Sequence, residues 1–250
     1  MKSIIVIWML MVGIVAGTSA QFIKMGGPRR MPAADSADAA AALKSFMTAN
    51  GGNGMFYQYR TQYNFHSKGK DSSMVDTMST SISENHFMQV DMGVIGTKMS
   101  LIGRTGLPKY SVTLYPQTRK YKLNIIDTAR LNSSDGQTYR VTKVGTEMVA
   151  GYPCIQAKLT IIGQNNKTIV TEDIWTSTAV PGYMQVKEDM SNQHVTVKMM
   201  RELENAGCDG FIVKVSMEGP QMKFDMLLVT AVRKSFPSSM FVIPAGYTKL

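Results

Sequence analysis

Five side chains of this 250-residue chain are of the kinds most often used for nucleophilic or metal chemistry: Cys154, Cys208, His66, His86 and His194. A cysteine or serine nucleophile needs a base within hydrogen-bond reach, and a metal needs ligands at characteristic spacings. None of the three histidines stands beside a Ser, Cys or carboxylate in such a pattern. Cys154 opens an alternating apolar stretch and lacks the local signature of cysteine-nucleophile families, which fits a small buried side chain. "GGNG" (51–54) does not join a strand to a helix, so it is no phosphate cradle. The expectation is a protein that is not an enzyme, with no cofactor and no metal.

Methionine is the unusual residue. There are 21, three of them (Met1, Met9, Met11) within the first twenty positions. Three uses compete. The first is simple core filling. In the second, unbranched polarizable side chains line an apolar cavity that repacks around acyl chains of variable shape. In the third, soft thioether ligands such as Met74/Met78, Met88/Met92 and Met199/Met200 carry Cu(I).

The elements that would position these side chains follow from periodicity. Lys2, an apolar run over Ile4–Val15 and small residues ending at Ala20 have the pattern of a secretory signal, residues 1–20. A flexible leader is expected over 21–34 and one domain over 35–250, exported, soluble after signal removal, and periplasmic or secreted. "DSADAAAALKSFMTANGG" predicts a helix capped by Asp35 or Ser36 and stopped at Asn50-Gly51, with Leu43, Phe46 and Met47 as its apolar stripe.

The period then changes to two. Tyr57, Tyr59, Tyr63 and Phe65 alternate with polar residues. Met88, Val90 and Met92 do the same, followed by Met99–Gly103, Tyr110–Leu114, Tyr121–Ile125 and Tyr139–Thr146. Ile155, Ala157, Leu159 and Ile161 face one way, "GQNNK" turns the chain, and Ile169–Trp175 returns, ended by Pro181-Gly182. Trp175 is expected to fill core with its ring, its indole N–H needing a partner.

A second helix is predicted over Asn192–Ala206, capped by Ser191 and stopped by Gly207, with Val195, Met199, Leu203 and Ala206 as its stripe. Phe211–Met217 and Met222–Leu228 form a last hairpin. The two cysteines allow either one disulfide or two buried thiols.

The sum is a mainly β (α+β) protein: about nine to eleven antiparallel strands in an incomplete barrel or strongly curved sheet, with two helices on its concave, apolar face. Formal charge is +9, or +8 without Lys2. Lys and Arg are scattered, with no basic run and no interleaved aromatics, which excludes nucleic acid as a partner. Such a charge favours peripheral contact with an anionic membrane surface, or serves solubility alone.

"VTKVGTEMVAGYPCIQAKLTI", "TEDIWTS", "AGCDGFIVKVSM" and "FVIPAGYTKL", in that order, resemble the bacterial envelope proteins grouped as domain of unknown function 4412. The resemblance covers Phe56–Leu250. It implies kinship with LolA-like lipoprotein carriers, whose incomplete antiparallel barrel is plugged by helices on its apolar side. Cys208 and the Ala-rich helix near Ala40 depart from the familiar motifs. Together these readings predict a non-enzymatic binding protein carrying the acyl chain of a lipid or lipoprotein, lined by Met88, Met92, Met199, Leu203, Met217 and Met226. The rival readings are a structural envelope protein with a filled core and a methionine-based copper carrier.

Overall fold

The structure is a computed structural model that describes residues 37–67, 70–94, 97–104, 110–125, 138–163, 166–191, 198–219 and 222–250. The expected signal, leader and Asp35/Ser36 cap lie outside these residues, as do Val195 and His194. Among the described residues no helix is long and apolar enough to cross a membrane.

The protein is mainly β, with twelve strands among the described residues in one open, largely antiparallel sheet. They are β1 (Gly52–Ser67), β2 (Lys70–Ser83), β3 (Phe87–Val94), β4 (Thr97–Arg104), β5 (Tyr110–Tyr115) and β6 (Lys120–Ile125). There follow β7 (Thr138–Val149), β8 (Tyr152–Ile162), β9 (Thr168–Ser177), β10 (Phe211–Gly219), β11 (Met222–Phe236) and the short β12 (Thr248–Lys249). The order across the sheet is β12-β6-β5-β4-β3-β2-β1-β11-β10-β9-β8-β7. Strand β12 runs parallel to β6. The helices are α1 (Ala37–Ser45), α2 (Tyr183–Ser191) and α3 (Lys198–Asn205), with a 3-10 turn at Ser238–Phe241.

The chain divides into two compact units. The first comprises residues up to Phe56, Thr80 to Ile125 and Arg233 to Leu250. Its core joins Phe46, Phe87, Ile102, Val112, Leu114, Tyr121, Phe236 and Phe241. Helix α1 is shorter than its alanine-rich sequence predicts. The Phe46 N–H is shared between the carbonyls of Ala42 and Leu43, and the Met47 N–H reaches Lys44, three residues back. This tightened last turn leaves Phe46 buried and puts Met47 at 54% exposure, so the expected stripe loses its third member.

Strand β2, "KDSSMVDTMSTSIS", has no counterpart in the sequence reading because Ser, Thr and Asp mask its period. It nonetheless buries Met78, Thr80, Ser81, Ile82 and Ser83. Close approach to β1 explains Gly54: a Cβ there would lie 2.0 Å from the Ile82 carbonyl oxygen.

The second unit holds Tyr57 to Ser79 and the described residues from Thr138 to Val232. Its strands β7 to β11 pair antiparallel in sequence order. Ala150 (φ 50°) and Gly151 (φ 83°) make the two-residue turn from β7 to β8, the conformation whose twist suits a tight hairpin. Of the helix predicted over Asn192–Ala206, residues 192–197 lie outside the described residues, and Lys198–Asn205 form α3. Ser191, expected as its cap, instead ends α2, a helix the sequence reading lacks. Among the α2 residues whose side chains are described, Tyr183 and Val186 are buried, too few apolar positions to show against "QVKED".

The end of α3 follows expectation. Gly207 (φ 64°) donates to the Glu204 carbonyl at 2.9 Å, and Cys208 donates to Leu203 at 2.8 Å. This double bond pattern at a left-handed glycine closes the helix. No atom lies within 4 Å of where an alanine Cβ would sit, so Gly207→Ala carries only the backbone cost, about 1 kcal/mol. A urea midpoint measurement of the variant checks it.

Candidate ligand-binding face

Within the second unit, register across the strands brings one face together. Phe224 of β11 pairs with Met217 of β10, which pairs with Glu172 of β9, which pairs with Leu159 of β8, which pairs with Val141 of β7. The neighbouring row is Met226, Val215, Ile174 and Ala157. Directly opposed residues share a face, so this is an apolar surface with a single carboxyl set into it. Phe224, Met217, Leu159, Met226, Val215, Ile174 and Ala157 are all buried. Tyr63 of β1 adds its ring against Phe224, centroids 5.1 Å apart.

Glu172 is 2% exposed, and its Oε1 is buried with no hydrogen-bond partner among the described residues. Burial alone raises its pKa from 4.5 to about 7, because removing the carboxylate from water penalises the charged form. The residue occurs inside "TEDIWTS", but the sequence reading did not single it out. Strand β9 has apolar side chains at both parities: Val170 and Ile174 share a side with Glu172, while Ile169 and Trp175 take the other. Trp175 points to the latter side. Its indole N–H donates to Glu147, and Lys214 Nζ lies 4.1 Å from its ring centroid. The partner wanted for the indole is therefore Glu147, and the ring is covered by charged side chains.

The end of α3 is tied to the Glu172 face. Thr176, at the same parity as Glu172 and Ile174, donates its hydroxyl to the Cys208 carbonyl at 2.8 Å. Helix α3 packs on β7 and buries Met199 and Leu203. Below it a polar cluster fastens α2. Lys187 Nζ lies 2.6 Å from Asp209 and 3.0 Å from Glu204, and the Tyr183 hydroxyl donates to Asp209. Burial works against the Asp209 carboxylate, but hydrogen bonds from Lys187, Tyr183 and the Gly210 N–H outweigh it and hold its pKa below the ordinary value. Those same bonds from Asp209 and Glu204 raise Lys187.

Of the six expected lining residues, Met199, Leu203, Met217 and Met226 lie in the second unit. Met217 and Met226 share the Glu172 face. Met88 and Met92 sit on β3 in the first unit, Met88 opposite Gly103. The candidate copper pairs occupy three different elements, β2, β3 and α3. Both cysteines are buried free thiols, so the disulfide alternative is set aside. Burial pushes both thiols up, away from the thiolate a nucleophile needs. His66 pairs with Asp71 at 3.3 Å at an exposed position, and His86 occupies a left-handed turn (φ 62°). No group of three or more His, Cys, Asp or Glu among the described residues could hold a metal ion.

The profile of the domain of unknown function DUF4412 matches residues 66–247. The chain belongs to this family. No curated protein matches it. Three of the solved structures to which the DUF4412 chain is similar are as follows. One is the Pseudomonas aeruginosa MucA/MucB complex, at 11% identity over 84% of this chain and 60% of that one, with a TM-score of 0.33. A putative outer membrane lipoprotein-sorting protein domain from Vibrio parahaemolyticus gives 8% identity over 78% and 90%, TM-score 0.28. A LolA superfamily protein from Nitrosomonas europaea gives 7% identity over 82% and 97%, TM-score 0.28. The DUF4412 chain thus spans about 60% of the MucB-containing chain. At this overlap the likenesses say nothing about cargo or partner.

Proposed function

We propose that this DUF4412 protein is an exported, non-enzymatic binding protein of the cell envelope that accepts an acyl chain of a lipid or lipoprotein on the Glu172 face. Met217 and Met226 provide the adaptable floor, and Met199 and Leu203 of α3 complete the lining. The observation that carries the reading is the buried Oε1 of the Glu172 carboxyl, which has no hydrogen-bond partner among the described residues. A core built only for packing gains nothing from such a group, because burying a polar atom without a hydrogen bond costs roughly 1–3 kcal/mol. Groups of this kind concentrate where a protein binds or reacts. Methionine suits the task, since it has three rotatable bonds and no branch and can move aside for a guest.

A second reading, a structural envelope protein with a filled core, is favoured by the burial of the same four side chains, none more than 5% exposed. The two differ in whether the face opens. Native mass spectrometry of protein extracted mildly from its host is expected to show a bound species in the mass range of a lipid. Repeated recovery of an empty protein that takes up no added lipid overturns binding and leaves the filled core.

A further inference from the structure

We infer that Glu172 is the polar anchor of this face and selects ligands whose first polar group beyond the acyl chain is uncharged: an ester, an amide or a hydroxyl. This inference rests on the binding reading above. Leu159 and Met217 flank it in register, Val170 and Ile174 flank it along β9, and Phe224 lies beyond Met217.

The charged residues of the adjoining strands lie at the alternate positions, on the opposite face: Lys158 on β8, Asp173 on β9, Lys214 and Glu218 on β10, Lys223 and Asp225 on β11. Two of those positions pair with each other there, Lys158 with Asp173 at 3.7 Å. On the Glu172 face the titratable side chains include Tyr63 of β1 beyond Phe224, with Tyr57 and Tyr59 at the same alternation and Asp76 of β2 near Tyr63, and Tyr139 and Lys143 of β7. Lys143 is exposed and stands opposite Ala157 in the neighbouring row. Helix α3 buries Met199 and Leu203, leaves Arg201 and Glu204 exposed and Glu202 half-buried.

An anionic head placed beside Glu172 would meet a like charge or an acid, and the cation of this face, Lys143, is exposed in the neighbouring row and does not flank the carboxyl. A cationic head would have to surrender its hydration in an apolar site, a cost a buried pair repays only with further hydrogen bonds. Glu172 has no such supporting donors on its Oε1. A neutral carboxyl, by contrast, offers one O–H donor and a carbonyl acceptor. An ester or amide carbonyl and an adjacent hydroxyl or N–H match that pair without moving a charge. The raised pKa keeps the neutral form available near pH 7.

The test titrates wild type with three soluble probes of equal chain length, monooctanoylglycerol, octanoate and octylamine, by calorimetry at about pH 5.5 and about pH 8.5. Monooctanoylglycerol is expected to bind tightest, and to weaken about tenfold or more at the higher pH as Glu172 ionises. In Glu172→Gln, whose amide also offers an N–H donor and a carbonyl acceptor, binding persists and the pH dependence disappears. In Glu172→Leu discrimination among the three heads is lost. Binding that is equally strong at both pH values in wild type, or tighter for octylamine or octanoate, overturns the anchor role alone. Failure of all three probes to bind wild type overturns the anchor together with the acyl-chain reading it rests on.

Discussion

Acidification from about pH 8 to about pH 5 is expected to stabilise the wild-type protein relative to Glu172→Gln by about 2–3 kcal/mol. The sign follows from the direction of the shift. Burial raises the folded-state pKa of Glu172 from 4.5 to about 7, so between those values the native protein holds a proton that the unfolded chain has released. Folding therefore takes up a proton there, and stability falls by about 1.4 kcal/mol for each unit of rising pH. The contribution is complete below about pH 4.5, is lost progressively up to about pH 7 and is flat above; over the full window it amounts to about 3 kcal/mol. Glutamine has the shape of glutamic acid and no proton to lose, so the difference between the two proteins isolates residue 172 from every other titration. Urea unfolding midpoints at several pH values read the effect. Parallel curves for wild type and variant would mean that the carboxyl is solvated or paired. Glu172→Leu should at the same time be more stable than wild type at about pH 8, because a side chain of similar bulk removes the desolvated charge.

That such a residue escaped the sequence reading has a physical cause that applies to the rest of the fold as well. Alternation reveals a strand when one parity is apolar and the other polar, as in Phe211–Met217 and Met222–Leu228, and those elements stand where expected. Strand β9 has apolar residues at both parities, so the side that Glu172 takes is decided only by where Trp175 goes. Its indole goes to Glu147 and Lys214, contacts made across strands. Strand β2 fails differently, since its buried positions include Thr80, Ser81 and Ser83, which no hydropathy pattern marks. Local chemistry with a short reach was legible: the Gly207 stop depends on a few consecutive residues. Of the methionines expected in the lining, Met88, Met199, Met217 and Met226 are buried and Met92 is half-buried. Their division between two units was not legible, because strand order places β11 beside β1 and sends the chain through both units more than once.

Phe241→Ala is expected to cost about 3–5 kcal/mol, among the largest effects of any single truncation in the first unit. Phe241 is fully buried and belongs to the 3-10 turn that follows Pro237. Its ring stacks near Phe87 of β3 at 6.1 Å between centroids and meets Phe236 of β11 edge-on at 5.8 Å. Removing it takes away one member of each aromatic pair and leaves a void that two stiff neighbouring rings fill poorly, so the cavity term adds to the lost transfer energy. Leu250→Ala, at a side chain 60% exposed near the same end of the chain, should stay within about 0.5 kcal/mol and serves as the control. Amide exchange gives the finer reading. Protection should fall first along β3 and β4, which carry Phe87 and Ile102 into the same cluster. A variant whose midpoint and exchange pattern matched the control would mean that the "FVIPAGYTKL" tail merely lies against this core and does not help to build it.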